Sequence, residues 1–270
     1  MKEKTQYTSG MGEGIHMRPS RVLHKLRNGE VASCIKINTS DPRIVEIVAM
    51  SGFDAVWLCN EHVPGDMLNI ENQARAAKLH DCDPILRCRR GSYSDHIIGY
   101  EMDCVAVIVP HVMNLADAKR VVEMTKFPPV GKRAVDGGNA DGAYCMVDFN
   151  EYLETANKER FNILQIEDPD VLPDLEAIAE LPGVDMLFFG PGDFSVATGK
   201  PGQVNDPEIQ AIRERVAKVA RAAGKHAGTP AGPANMKQLA DMGYNFLTCG
   251  ADIIGINLYA REMLKAYEQI

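Results

Sequence analysis

No stretch of this sequence stays apolar long enough to cross a bilayer. Its beginning, MKEKTQYTSGMGEGIHMRPS, lacks the apolar core that a secretion signal carries. There is no C-x-x-C pair, and the seven cysteines (34, 59, 82, 88, 104, 145 and 249) are odd in number, several of them inside apolar runs. That pattern argues against a disulfide framework and suits small hydrophobic thiols in a reducing compartment. Excess positive charge is missing too. A net charge of −8 speaks against nucleic acid or an anionic membrane as the main partner. Aromatic residues make up only 6% of the chain, beside 45% hydrophobic and 24% charged residues overall. These absences leave a soluble, cytoplasmic globular protein as the expectation.

What is present is a rhythm. Short apolar runs recur at 31–37, 55–61, 83–89, 104–110, 162–168, 185–190, 225–230 and 245–251. Most are nearly continuous rather than alternating, as parallel strands covered on both faces require. Segments of helical period lie between them, several closing on a glycine such as Gly52, Gly224 or Gly243. Eight such units in 270 residues predict a single-domain α/β chain, a (β/α)8 TIM barrel. A doubly wound sheet is the rival, but its Gly-rich first turn is absent: GMGEG at 10–14 precedes every strand. Residues 1–20 read as a flexible lead-in and 21–270 as the barrel. Residues 128–160 read as a long loop serving the active site, and the closing stretch as a helix that packs on the barrel or reaches a neighbour.

In such a barrel, chemistry sits at the C-terminal strand ends. Those ends carry Glu61-His62, Arg87 and Arg89, Gln165 and Glu167, and, after Gly190-Pro191-Gly192, Asp193. Singly, each has a plain alternative: Glu167-Asp168 or Asp193 as helix caps, His62 as a wall histidine. Jointly, two carboxylates on consecutive strands about 4.8 Å apart repel unless a proton or cation lies between them. Oxygen ligands with open positions favour a hard divalent ion, Mg2+ or Mn2+, with Co2+ admissible, whose remaining positions take a small 2-oxo acid. Glycine at 192 would let backbone N–H groups approach the substrate carboxylate. Arg87 is placed to stabilise an enolate and His62 to move a proton. A Schiff-base route is disfavoured, because Lys36 lies inside its strand run and no lysine ends the fifth or sixth strand.

The stretches GFDAVWLCNEH (52–62), ILRCR (85–89), VIVPHV (107–112), FPPVGKR (127–133), LQIED (164–168) and PGVDMLFFGPGDFSVATG (182–199) resemble the class II pyruvate-dependent 4-hydroxy-2-oxo-acid aldolases of the HpcH/HpaI type. The resemblance implies a metal on Glu167 and Asp193, with the pyruvate moiety on Gln165, the Gly192 backbone and Asp193. It implies Arg87 stabilising the transition state and His62 as base. It also implies a homo-oligomer, commonly a hexamer, that splits 4-hydroxy-2-oxo acids into pyruvate and an aldehyde. Three departures stand out. Cys59 replaces the usual aspartate before the histidine. Glu101 stands for the aspartate expected to support it, with Asp103 in place of the following glycine. The segment from Arg133 to Asn139 differs from the usual R-G-V-G, so Arg133 is expected to face a distinctive substrate tail. These departures keep two rivals in view: a decarboxylase or other lyase acting on an oxo-diacid such as oxaloacetate, and a non-catalytic small-acid-binding barrel.

Overall fold

A computed structural model describes residues 14–270. The apolar runs form β1 (Ala32–Lys36), β2 (Ala55–Cys59), β3 (Asp83–Arg87), β4 (Ala106–Val109), β5 (Phe161–Ile166), β6 (Met186–Phe189), β7 (His226–Ala231) and β8 (Phe246–Ala251). They pair in parallel and in sequence order, and the ring closes through β1 and β8. Every residue of β2 through β6 is buried. One face packs into the barrel around Trp57, Ile85, Ile163, Phe188 and Phe246, and the other lies under helices. Each such large side chain contributes about 1.5–3 kcal/mol on burial. Strands β2, β3 and β5 stop two residues before their apolar runs do. Asn60-Glu61, Cys88-Arg89 and Glu167-Asp168 therefore leave the sheet at the C-terminal rim.

The helices are α1 (Arg21–Arg27), α2 (Pro42–Met50), α3 (Met67–Lys78), α4 (Tyr93–Glu101), α5 (Leu115–Thr125), α6 (Phe149–Glu159), α7 (Leu175–Glu180), α8 (Pro191–Ala197), α9 (Pro207–Ala222), α10 (Met236–Asp241) and α11 (Asp252–Tyr267). Asp41, Asp66, Asn114, Asp148 and Asp206 cap five of them with side-chain acceptors, worth about 1 kcal/mol each. The expected stops Gly52, Gly224 and Gly243 all have positive φ (97°, 71° and 109°). Among the described residues no helix is long and apolar enough to cross a membrane.

Three expectations meet a different arrangement. Of the lead-in, residues 1–13, with most of GMGEG, lie outside the described residues. Residues 14–20 run onto the molecule: Met17 is buried with Phe127 and Tyr152, and Arg18 pairs with Asp81 and Asp83. Immediately after it, α1 plugs the N-terminal mouth of the barrel with Val22, Leu23 and Leu26. Second, residues 128–160 are no lid over this chain's own site. They join α5 to β5, so both ends are tied to the N-terminal rim. The excursion holds a 3-10 turn at Ala140–Gly142 and the whole of α6, and the Ala134 N–H donates to the Tyr93 hydroxyl of α4 (2.8 Å).

Third, of the two expectations for the closing helix, packing along its own barrel is not met. Only Asp252 of α11 is buried; its carboxylate accepts the N–H groups of Asn38 (2.8 Å) and Thr39 (2.9 Å). From there α11 projects with Ile253, Ile254, Ile256, Leu258, Tyr259 and Leu264 all about half exposed or more. The apolar side chains of α11 are therefore left uncovered by its own barrel.

Candidate active site

At the end of β5 the chain turns Gln165 inward and then releases Glu167. The Glu167 carboxylate is 1% exposed. One oxygen accepts the His111 N–H (2.8 Å) and the other the Gln165 amide (2.7 Å). A Cβ at position 190 would lie 2.8 Å from that second oxygen, so Gly190 is the glycine that makes room for Glu167. The space beside Gly192 is open, and no protein atom there requires a glycine. After β6, helix α8 begins at Pro191 with Gly190 as N-cap; Asp193 therefore sits in its first turn, exposed, and is not the cap. Asp168 does precede a 3-10 turn, yet its carboxylate goes to His111 Nδ1 (2.8 Å) instead of capping.

Arg87, 4% exposed, ends β3 opposite Cys59 of β2. Its Nη2 donates to Cys59 Sγ (3.2 Å), and its guanidinium lies 4.9 Å from the Trp57 ring centre. Its Nε stands 3.0 Å from Glu61 Oε2, an ion contact in which neither atom attains hydrogen-bond alignment. The Cys59 sulfur also accepts the His62 N–H (3.4 Å). Burial alone would raise this thiol, but Arg87 and the backbone N–H groups outweigh it and hold its pKa below the ordinary cysteine value. Cys59 thus has the surroundings of an anion, where the resembled pattern has aspartate.

His62 itself is 56% exposed at the rim, with Nε2 3.6 Å from Glu61. The histidine in contact with Glu167 is His111, in the VIVPHV stretch, whose sequence context alone suggests no role. It follows β4 in a left-handed conformation (φ 49°), with its ring against Asp168 and 3.8 Å from Glu61. Burial would lower its pKa, but Asp168, Glu167 and Glu61 together raise it. The signal available in sequence was its position, two residues past the end of β4.

Two predicted site residues are elsewhere. Glu101 ends α4, which runs back to the start of β4, so within one chain it lies at the rim opposite His62. Its surroundings are Arg133, Asp141 and Asp136, and burial raises its pKa. Arg133 faces no substrate cavity: it is 4% exposed, pairs with Asp141 (3.0 Å) and stacks over Phe127 (4.6 Å) and Tyr100. It anchors the excursion rather than a ligand. Asp103 has φ 61°, which explains why glycine suits that position; Arg160 (2.6 Å) and Lys78 hold its carboxylate.

Arg87, Gln165, Gly192 and Asp193 line one cavity of about 540 Å3 at the C-terminal rim, with Trp57 and Lys36. No residue of 128–160 lines it. These observations make the molecule a (β/α)8 barrel of the enzyme type, with its site at the usual end. Comparison supplies the family: the chain belongs to the HpcH/HpaI aldolase/citrate lyase family, whose model matches residues 34–255. It is 32% identical to a 2-keto-3-deoxy-L-rhamnonate aldolase of Klebsiella pneumoniae over 84% of this chain and 85% of that one. Identity is also 32% to a hydroxypyruvate/pyruvate aldolase of Pseudomonas aeruginosa, over 92% and 93% of the two chains. A solved HpcH/HpaI aldolase/citrate lyase family protein from Burkholderia cenocepacia superposes with a TM-score of 0.84, at 26% identity, covering 92% of this chain and 99% of the other.

The family works with a divalent metal ion, and the residues here fit one. Burial, with Asp193 and Glu61 nearby, pushes Glu167 up to about 7 against the pull of His111, the situation a cation would relieve. Gln165 Oε1 is buried without a hydrogen-bond partner. Among the described residues no three His, Cys, Asp or Glu side chains converge as in a closed structural site. A few oxygen donors with room beside them suit a hard ion that keeps open positions.

Proposed function

We propose that this chain is a divalent-metal-dependent aldolase that reversibly cleaves a 4-hydroxy-2-oxo acid to pyruvate and an aldehyde, with Glu167 and Asp193 holding Mg2+ or Mn2+, or Co2+ in their place. The enzyme is a carbon–carbon lyase of the aldolase type. The observation that carries the reading is the single cavity bounded by Arg87, Gln165 and Asp193, with Glu167 raised beside it. When bound, the ion polarises the oxo-acid oxygens.

The chain's own residues account for the rest. Gln165 and the N–H groups at Gly192 and Asp193 orient the pyruvate end. His62 takes the proton from the 4-hydroxyl, the C3–C4 bond breaks, and its electron pair passes into the enolate of pyruvate. Arg87 steadies the charge that grows on the keto oxygen, worth about 2.7–4 kcal/mol for one well-aimed donor. Trp57 beneath Arg87 keeps water from one side of the reacting carbons. Proton return to C3 completes pyruvate.

The test is pyruvate release from a panel of 4-hydroxy-2-oxo acids with added Mg2+ or Mn2+, repeated in EDTA. Release undiminished by the chelator removes the metal assignment.

Assembly belongs to the same reading. The exposed apolar length of α11 is covered by another copy of the chain, giving a homo-oligomer, a hexamer by resemblance. Light scattering on the purified protein measures this directly, and Tyr259→Glu is expected to reduce the mass.

A further inference from the structure

Cys59 differs from other cysteines of the chain in the direction of its hydrogen bonds. Cys34, Cys88 and Cys249 each send the thiol proton to a backbone carbonyl, of Ile35 (3.9 Å), Ile108 (3.4 Å) and Leu247 (3.5 Å). Cys59, 5% exposed, only receives: Arg87 Nη2 donates to its sulfur (3.2 Å), and so does the His62 N–H (3.4 Å). Among the described residues no carbonyl or carboxylate takes a proton from it. A buried thiol between two donors has no acceptor for its own hydrogen, whereas a thiolate uses both donors. The electrostatics run the same way. Burial, before any other cause, pushes Cys82, Cys88 and Cys104 up to about 12. It pushes Cys59 up as well, but there Arg87 and the N–H groups of His62 and Glu61 reverse the direction.

Cys59 closes β2 and is paired with Arg87, which closes β3. The charged and titratable groups facing it are Arg87 from β3, Lys36 at the end of β1, and Glu61 and His62 on the turn after β2. Arg87 and Lys36 attract its negative charge, and Glu61 acts on the same two cations. Glu61 meets Arg87 only through the misaligned contact at Nε, so the sulfur is the aligned acceptor that fixes the guanidinium. With Nη2 engaged by the sulfur and the guanidinium over Trp57 (4.9 Å), Nη1 has no hydrogen-bond partner among the described residues. Nη1 is the donor left for a keto oxygen. The second bond, from the His62 N–H, ties the turn that carries the base to the same atom.

We propose that Cys59 is a positioning residue that works as a thiolate, its sulfur aiming the Arg87 guanidinium at the substrate and holding the turn that bears His62. Cys59 does not line the cavity, so it acts through these two residues and takes no part in bond making. What Arg87 and His62 then do rests on the aldolase reading; the ionised state of Cys59 stands apart from it.

The test uses the holoenzyme in Mg2+ and the variants Cys59→Ser, Cys59→Ala and Cys59→Asp, with circular dichroism confirming folding. Thiolate ultraviolet absorbance is titrated on the parent and on Cys59→Ser. Near neutral pH the parent is expected to show an extra thiolate, lost on acidification below about 8.5, the ordinary cysteine value. In pyruvate release from a 4-hydroxy-2-oxo acid, Cys59→Ser lowers kcat by roughly ten- to a hundredfold, the scale of a charged hydrogen bond. KM moves by less than about threefold, because Arg87 acts on charge that grows in the transition state. Cys59→Asp, which restores the charge, recovers most of kcat, and Cys59→Ala does not. The proposal is overturned by equal thiolate absorbance in parent and Cys59→Ser near neutral pH, or by a Cys59→Ser kcat within about twofold of the parent's. It is overturned equally by a Cys59→Asp variant no more active than Cys59→Ala, the result of a merely structural role. A parent that carries the thiolate but releases no pyruvate removes the aldolase reading, and the positioning role with it.

Discussion

The two rims of this barrel are both rich in charge and treat it oppositely. At the N-terminal rim, acids at or just before five successive strands are each matched by a base. Asp54 faces Arg21 and Lys25, Asp83 faces Arg18, Asp103 faces Arg160, Glu159 faces Arg27, and Asp185 faces Lys126. At the C-terminal rim, Glu167 is driven towards neutrality and the Arg87–Glu61 contact is misaligned. On the proposed function, charges that hold the fold are satisfied within the chain, and charges that hold a substrate wait for it. The contrast separates stability from function by rim, and it can be broken.

The largest expected effect is at the matched rim. Asp83, fully buried, accepts from Arg18, from the Ser20 hydroxyl (2.8 Å) and from the Val22 N–H (2.9 Å). Asp83→Ala removes that acceptor from all three and is expected to cost about 3–5 kcal/mol in urea unfolding. The KM and kcat of the surviving folded enzyme are expected to stay near the parent's, and a tenfold change in either would show that the rims are coupled.

Glu167→Gln is the converse. Cleavage should fall on the order of a hundred- to a thousandfold, with thermal stability at pH 8 unchanged or raised. A carboxyl lifted to about 7 by burial costs the fold free energy once ionised, so its burden appears as pH rises through that value. A marked loss of melting temperature would place Glu167 with the structural acids.

His226, at the start of β7, gives a smaller and pH-dependent effect. Burial, then Arg221, holds its imidazole down at about 4, against about 6.5 in an unfolded chain. The unfolded chain takes up the proton first, so stability is lost as pH falls from about 6.5 towards 4. Partial exposure keeps the amount below ~3 kcal/mol. His226→Gln should flatten that part of the stability-against-pH curve, compared by denaturant midpoints at pH 7 and 4.5.

The smallest expected effect is at Glu101. Because it sits with Arg133 and Asp141 on the matched rim, Glu101→Gln should leave kcat and its pH profile within about twofold. A shifted profile would mean that Glu101 reaches His62 of another copy.

Much of this was legible in the sequence. Strand positions followed from apolar runs, and helix stops at Gly52, Gly224 and Gly243 from local backbone demands. Gln165, Glu167, Arg87 and Asp193 stood out because polar residues at the ends of buried strands need a reason. Lys36 and His111 did not, since their meaning depends on what stands across or beside them in the ring. Glu101 and Arg133 stand away from their own chain's cavity for another cause: a segment running from helix to next strand returns to the N-terminal rim, whatever family motif it resembles. The projection of α11 was beyond periodicity, because an apolar face does not say whose surface covers it.

That helix carries one more consequence. Its first turn supplies Ile253 and Ile254 to the cavity wall, while Asp252 pins Asn38, another wall residue. The rest of α11 is the part left uncovered by its own barrel. If another copy seats the helix, as proposed, it also sets the wall, and mass action would enter catalysis. Turnover per chain would then be a function of protein concentration, with the working unit defined by dilution rather than by the closed ring of strands.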